Sequence, residues 1–212
     1  MRTLILSGGQ PPSQSLLLKL LAWQDLLICA DRGYEMVLGL DYPPDLVIGD
    51  FDSIHKKALK TLKAQDLDLE VLPAVKDDTD TEIALKRALE RGASDIFLVA
   101  GTGTRIDHIL ASLFLGENFL DQAIRFRVID DHNLIEILGP GDYPLEKTDF
   151  DYVSVLPISP YVEMTSQGMA YNVQRAKLRR GTSLGVSNEI RDPEGAKITL
   201  HSGRAFLIYS KD

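Results

Sequence analysis

From Thr3 to about Ile129, short apolar runs alternate with stretches whose apolar residues recur at helical spacing. That alternation is the signature of strands in a parallel sheet joined by helical crossovers. Thr3 to Leu6, Leu26 to Ala30, Leu46 to Ile48, Leu69 to Leu72, Ile96 to Ala100 and Phe126 to Ile129 are the predicted strands. Ser13 to Trp23, Ile54 to Lys63, Asp80 to Arg91 and Arg105 to about Leu115 are the predicted helices, with Gly92 as the stop of the third. Strands alternating with helices imply an α/β fold with an open, mostly parallel sheet and flanking helices.

Beyond Ile129 the punctuation changes. Gly139-Pro140-Gly141, Pro144, Pro157, Pro160, Gly168, Gly181, Gly185, Pro193, Gly195 and Gly203 cut the chain into short pieces. Val153 to Leu156, Val162 to Thr165, Ala170 to Leu178, Lys197 to Leu200 and Ala205 to Tyr209 predict a small antiparallel β-sandwich. The boundary is expected between about Asp130 and Pro144, which gives residues 1–132 to the α/β domain and 133–212 to the sandwich.

Composition narrows the function. The 212 residues are 44% hydrophobic and 25% charged, ordinary globular usage. With 23 Lys and Arg against 31 Asp and Glu, the formal charge of -8 argues against nucleic acid as a partner. Cys29 is the single cysteine, so no internal disulfide forms and a cytoplasmic setting is expected. No stretch approaches the roughly 18 apolar residues of a membrane helix, and Met1 to Gly9 is too short an apolar run for a signal peptide. No membrane association is expected.

Four segments concentrate acids and glycines, each just after a predicted strand of the first domain. Ligand sites of open α/β sheets form outside the carboxyl ends of the strands, where such loops converge. In Ala30-Asp31-Arg32-Gly33 a carboxylate and a guanidinium leave the second strand, a pattern more often explained by an N-cap aspartate with a solvated arginine. Gly49-Asp50-Phe51-Asp52-Ser53 is more specific: residues two apart in an extended segment project to one side, so Asp50 and Asp52 can face one divalent cation. Lys76-Asp77-Asp78-Thr79-Asp80 opens a helix, where acids are favoured by the dipole, yet it also sets Lys76 beside them to meet phosphate oxygens. Gly101-Thr102-Gly103-Thr104-Arg105-Ile106-Asp107-His108 lets backbone amides approach an anion at a helix N-terminus. Its spacing is neither the Rossmann fingerprint nor the P-loop. His108 reads equally as a packed core histidine. Together the segments describe a magnesium-nucleotide site for phosphoryl or pyrophosphoryl transfer.

The blocks Gly49-Asp50-Phe51-Asp52-Ser53, Lys76-Asp77-Asp78-Thr79-Asp80 and Arg105-Ile106-Asp107-His108 resemble, in that order, the signature blocks of thiamine pyrophosphokinases. Gly181-Thr182-Ser183-Leu184-Gly185-Val186-Ser187-Asn188-Glu189 resembles that family's thiamine-binding block, so the resemblance spans nearly the whole chain. It implies an α/β catalytic domain, a β-sandwich domain, and a homodimer with active sites between subunits. It also implies diphosphate transfer from ATP to the hydroxyl of thiamine, giving thiamine diphosphate and AMP. Asp50, Asp52, Asp77 and Asp80 are implied as Mg2+ ligands, with Asp107 and Asp31 nearby. Asp31, Arg32, Lys76, Gly101, Gly103, Arg105 and His108 are assigned to ATP, and Tyr171, Ser187 and Asn188 to thiamine. Two positions depart from the family pattern. Thr104 replaces a glycine, which bears on how closely the backbone meets phosphate, and Tyr171 replaces the tryptophan of some members, offering a smaller stacking face.

Two alternatives share part of this pattern. A magnesium-ATP enzyme acting on another alcohol keeps the first-domain loops, and the block around Ser187 and Asn188 argues against it. A non-catalytic nucleotide-binding module has little need for so many carboxylates around one anion.

Overall fold

A computed structural model describes all of residues 1–212, which divide into two compact units, Met1–Asp131 and His132–Asp212. In the first unit, β1 (Arg2–Leu6), β2 (Leu26–Ala30), β3 (Leu46–Gly49), β4 (Leu69–Val71), β5 (Asp95–Val99) and β6 (Arg125–Ile129) lie in the order β4-β3-β2-β1-β5-β6. Every pairing among them is parallel. The chain steps outward from β1 to β4, then returns to the other side of β1 at β5. The order therefore reverses between β1 and β5, and a ligand crevice belongs at their carboxyl ends.

Four helices accompany these strands: α1 (Gln14–Trp23), α2 (Lys56–Ala64), α3 (Asp80–Glu90) and α4 (Ile106–Phe114). Two of their starts have a local cause. The Ser13 hydroxyl accepts the Leu16 amide at 3.3 Å, and the Thr79 hydroxyl accepts the Glu82 amide at 3.2 Å. From α3, Ala84, Leu85 and Ala88 bury into the sheet core with Ile5, Ile28, Ile48, Ile96 and Leu98. A 3-10 turn, Asp31–Met36, follows β2 directly.

The second unit is a two-sheet sandwich. One sheet runs β7 (Asn133–Leu138), β13 (Ala205–Ser210), β9 (Tyr152–Pro157), and the other runs β11 (Ala176–Arg179), β10 (Tyr161–Gln167), β12 (Ala196–Ser202), β8 (Gly141–Leu145). All its strand pairs are antiparallel. Val153, Val155 and Leu207 from the first sheet share a core with Val162, Met164, Ile198 and Leu200 from the second.

Two sequence expectations change here. The stretch between Ile129 and Val153, in which no strand was predicted, carries β7 and β8, with Gly139 and Pro140 as their connection, Gly141 opening β8 and Pro144 inside it. β8 is an edge strand, where a residue without an amide hydrogen is tolerated. The expected strand Ala170 to Leu178 contracts to β11, because side chains take the backbone donors before it: Asn172 Oδ1 accepts the Met169 amide and Ser166 Oγ accepts that of Val173. Arg175 then turns the chain with φ +46°.

Candidate active site

Loops at the carboxyl ends of β2 and β3 meet the start of α3. Asp31 begins the 3-10 turn with φ +46°, and its Oδ1 accepts the Phe51 amide at 3.3 Å. Phe51 is itself left-handed at φ +62° and buried, so it pins the loop on which Asp50 and Asp52 stand. Asp50 Oδ1 accepts the Asp52 amide at 3.1 Å. The two carboxylates are thus held by their own turn, a geometry tighter than a simple extended segment.

The third contribution is the entry to α3. Lys76 Nζ lies 2.8 Å from Asp80 Oδ1, and neither side chain is more than 19% exposed. Asp80 is thus an acid with little solvent around it whose compensating cation is Lys76. Ser7 at the end of β1 shares a 2.7 Å hydrogen bond with Thr81, which locks this entry to the centre of the sheet.

Electrostatics place these groups in one shared space. Burial pushes the Asp31 carboxyl up to about 7, and a hydrogen bond with Asp80 and the charges of Asp80 and Asp50 add to it. Asp52 is raised by its hydrogen bond to Asp50 and by that residue's charge. Burial works against the Lys76 ammonium, but Asp80, Asp50 and Asp31 outweigh it and raise its pKa. Four carboxylates therefore share one ammonium, and the excess of negative charge disfavours ionisation of Asp31.

The donor set suits a hard divalent cation. No three His, Cys, Asp or Glu side chains form a finished metal cage. Magnesium does not require one, since it keeps several waters and takes one or two carboxylates together with substrate phosphates.

The remaining sequence candidates in this unit lie apart from that cluster or at its rim. Asp77 is exposed, and its neighbour Asp78 pairs with Lys86 at 2.7 Å. Arg105 and Asp107 form an exposed ion pair with each other at 2.5 Å, which holds Asp107 below the usual carboxylate range. His108 is exposed, not packed in the core. Gly101 is buried and Gly103 is exposed, where an added Cβ would lie 3.4 Å from the Gln10 amide nitrogen. Arg32 lies outside the cluster, on a neighbouring cleft.

In the second unit a separate pocket of about 190 Å³ is lined by Val153, Met164, Tyr171, Ser183, Leu184 and Asn188 among others. Tyr171 is 74% exposed at its mouth. The Asn188 side chain clamps it: Oδ1 accepts the Tyr171 amide at 3.0 Å and Nδ2 donates to the Tyr171 carbonyl at 2.8 Å. Asn188 therefore presents the aromatic ring and has its own amide committed to backbone. Ser187 is not among the lining residues; its amide donates to Ser154 Oγ at 2.9 Å. Gly185, at φ +100°, packs so closely that a Cβ would fall 2.6 Å from Leu178 Cδ2 and from the Val155 carbonyl.

Sequence reasoning passed over Gly8 and Gly9, which follow β1 and reach the same end of the sheet. Two glycines directly after a first buried strand were the available signal.

Comparison with known proteins adds independent support. The family described as thiamin pyrophosphokinase, catalytic domain, matches residues 17–128, and thiamin pyrophosphokinase, vitamin B1 binding domain, matches residues 142–204. A thiamine pyrophosphokinase of Bacillus subtilis (strain 168) is 31% identical over 217 residues, covering 100% of both chains. The crystal structure of thiamine pyrophosphokinase from Bacillus subtilis superposes with a TM-score of 0.89 at 29% identity, again over 100% of both chains. That of the enzyme from Geobacillus thermodenitrificans gives 0.87 at 30% identity, covering 100% of this chain and 98% of the other.

Proposed function

The chain belongs to the thiamin pyrophosphokinase family, and we propose that it transfers a diphosphate group from ATP to the hydroxyl of thiamine, giving thiamine diphosphate and AMP. The observation that carries this reading is the convergence of Asp31, Asp50, Asp52, Asp80 and Lys76 from three separate segments.

Asp50, Asp52 and Asp80, with Asp77 at the rim, are the residues that would hold Mg2+. That ion would neutralise phosphate charge and orient the triphosphate. Lys76 offers a fixed ammonium to the transferring group, and Arg105, released from Asp107, offers a second cation. The thiamine hydroxyl attacks the β-phosphorus in line and AMP leaves, so the protein's task is positioning and charge neutralisation.

Thiamine belongs to the pocket under Tyr171. Its volume, about 190 Å³, falls below the roughly 300–1,000 Å³ usual for ligand pockets. A second copy of the chain completing each active site, as in a homodimer, fits that deficit. No helix is long and apolar enough to cross a membrane, and the buried single Cys29 fits a cytoplasmic enzyme.

The test is product identity. Incubation with ATP, Mg2+ and thiamine yields thiamine diphosphate and AMP in equal amounts by mass spectrometry. AMP without thiamine diphosphate, or neither product, overturns the proposal.

A further inference from the structure

The start of α2 lacks the local devices that usually begin a helix. His55 stands at its N-cap with φ -60° and ψ 140°, but its side chain makes no capping bond, and the first turn holds Lys56 and Lys57 and no acid. Two cations therefore sit at the positive end of the helix dipole. Compensation comes from 20 residues away: Glu35, in the 3-10 turn, accepts the His55 amide at 2.8 Å and pairs with the His55 ring at Nδ1, also at 2.8 Å. We infer that Glu35 is a positioning residue for Mg2+, fixing through the His55 amide the far end of the loop that carries Asp50 and Asp52. The inference rests on those two carboxylates holding the ion.

Three observations support it. The first is that one element holds both ends of the loop. The turn Asp31–Met36 accepts the Phe51 amide through Asp31 at 3.3 Å and the His55 amide through Glu35. Asp52 lies between these two ties, and Asp50 directly precedes the first. A Cβ at Gly33 would fall 1.9 Å from the Leu6 carbonyl, so the turn is seated on β1 and gives the loop a fixed base. The Tyr34 hydroxyl donates to Gln65 Oε1 at 2.8 Å, where α2 ends, so the same turn grips α2 at both of its ends.

The second is direction. Phe51 and Ile54 are both buried, which sets the depth of the loop. Apolar burial is non-directional and leaves open where Asp50 and Asp52 point. Hydrogen bonds to the backbone around them supply that direction.

The third is charge. Burial works against the Glu35 carboxylate, yet the His55 amide and ring outweigh it and hold it below the usual carboxylate range. An ionised acceptor makes the stronger class of amide hydrogen bond. The Glu35 side chain is 23% exposed against 70% for His55, so the ring contact is a screened surface pair and the amide carries the tie.

Hydrogen–deuterium exchange along a Mg2+ titration tests the assignment in the intact protein. Without Mg2+, the peptide from Asp50 to His55 should exchange about tenfold faster or more in Glu35→Ala, with β1 and β5 unchanged as the sign of a folded protein. Mg2+ should slow that exchange in both proteins, with a midpoint about tenfold higher in Glu35→Ala, because fewer molecules hold the loop in its binding geometry. At saturating Mg2+ the variant should recover a kcat within about twofold of the wild type, since excess ion draws the loop into place. Glu35→Gln keeps an acceptor oxygen and should restore both readings, and His55→Ala keeps the amide and should behave as the wild type. Unchanged exchange in Glu35→Ala, faster exchange with an unmoved Mg2+ midpoint, or a His55→Ala protein as impaired as Glu35→Ala overturns the inference. No effect of Mg2+ on the wild-type peptide overturns the metal reading beneath it. Absence of thiamine diphosphate from the wild type overturns the activity alone, because the exchange midpoints still read the tie.

Discussion

Gly49 and Asp31 occupy space that only a glycine permits: a Cβ built on Gly49 would fall 1.9 Å from Asp31 Oδ1. Gly49 ends β3 at φ +154° and precedes Asp50, so its missing side chain lets the Asp31 carboxylate reach the Phe51 amide. Gly49→Ala must push one of the two away. The expected result is a loss of kcat/KM of about tenfold or more, with stability lowered by roughly 1–3 kcal/mol. Steady-state kinetics together with urea unfolding check it, and unchanged kinetics would show that the loop tolerates the displacement.

Asp31 makes metal-free protein sensitive to pH. An unfolded aspartate releases its proton near pH 4, whereas burial and Asp80 keep the folded one protonated to about 7. Between those values the folded state binds more protons, so rising pH favours unfolding. In EDTA, the wild type should lose Tm from pH 5 to pH 8 relative to Asp31→Asn. The variant should be more stable at pH 8 by roughly 2–4 °C, the shift for about 1 kcal/mol in a chain of this size. Added Mg2+ should stabilise the wild type more at pH 8 than at pH 5. Parallel melting curves for both proteins across that range would refute the shared-proton account.

How far the sequence exposed this arrangement depends on which interactions are local. Runs such as Leu26 to Ala30 are buried on both faces, and their alternation with helical stretches was enough to place the parallel sheet. β7 and β8 were hidden, because Gly139, Pro140 and Pro144 carry the same signals in a tight crossing from one sheet to the other as in a linker. The acid segments announced themselves by composition. Their pairing did not, since the contact between Asp31 and the Phe51 amide spans 20 residues and depends on two left-handed backbones. Nor did sequence distinguish Asn188 as a clamp from Asn188 as a ligand contact, because that depends on which way an amide points.

Asp50 is the carboxylate through which the loop is organised, accepting the Asp52 amide while its charge acts on Asp31, Asp52 and Lys76. Asp50→Asn keeps an acceptor oxygen for that amide but removes the charge. Turnover should fall on the order of 10²-fold or more while far-UV circular dichroism stays that of the wild type. The Mg2+ concentration for half-maximal rate should rise as well. Wild-type turnover in the variant would remove Asp50 from the metal site.

The clamp on Tyr171 allows ring contact and ring placement to be separated. Tyr171→Ala removes the aromatic face and should raise the KM for thiamine by about tenfold, since a stacked aromatic pair contributes roughly 0.5–1.5 kcal/mol beyond its buried area. Tyr171→Trp keeps a face and should restore binding. Asn188→Ala leaves the ring in place chemically but frees the backbone that it holds at 2.8 and 3.0 Å. If Asn188 acts only through Tyr171, the double variant should be no worse than Tyr171→Ala alone, because the clamp has nothing left to position. Additive losses would instead mean that the Asn188 amide meets thiamine itself. The measurement is a double-mutant cycle on the thiamine KM at saturating ATP, with the ATP KM as the internal control that the first unit is undisturbed.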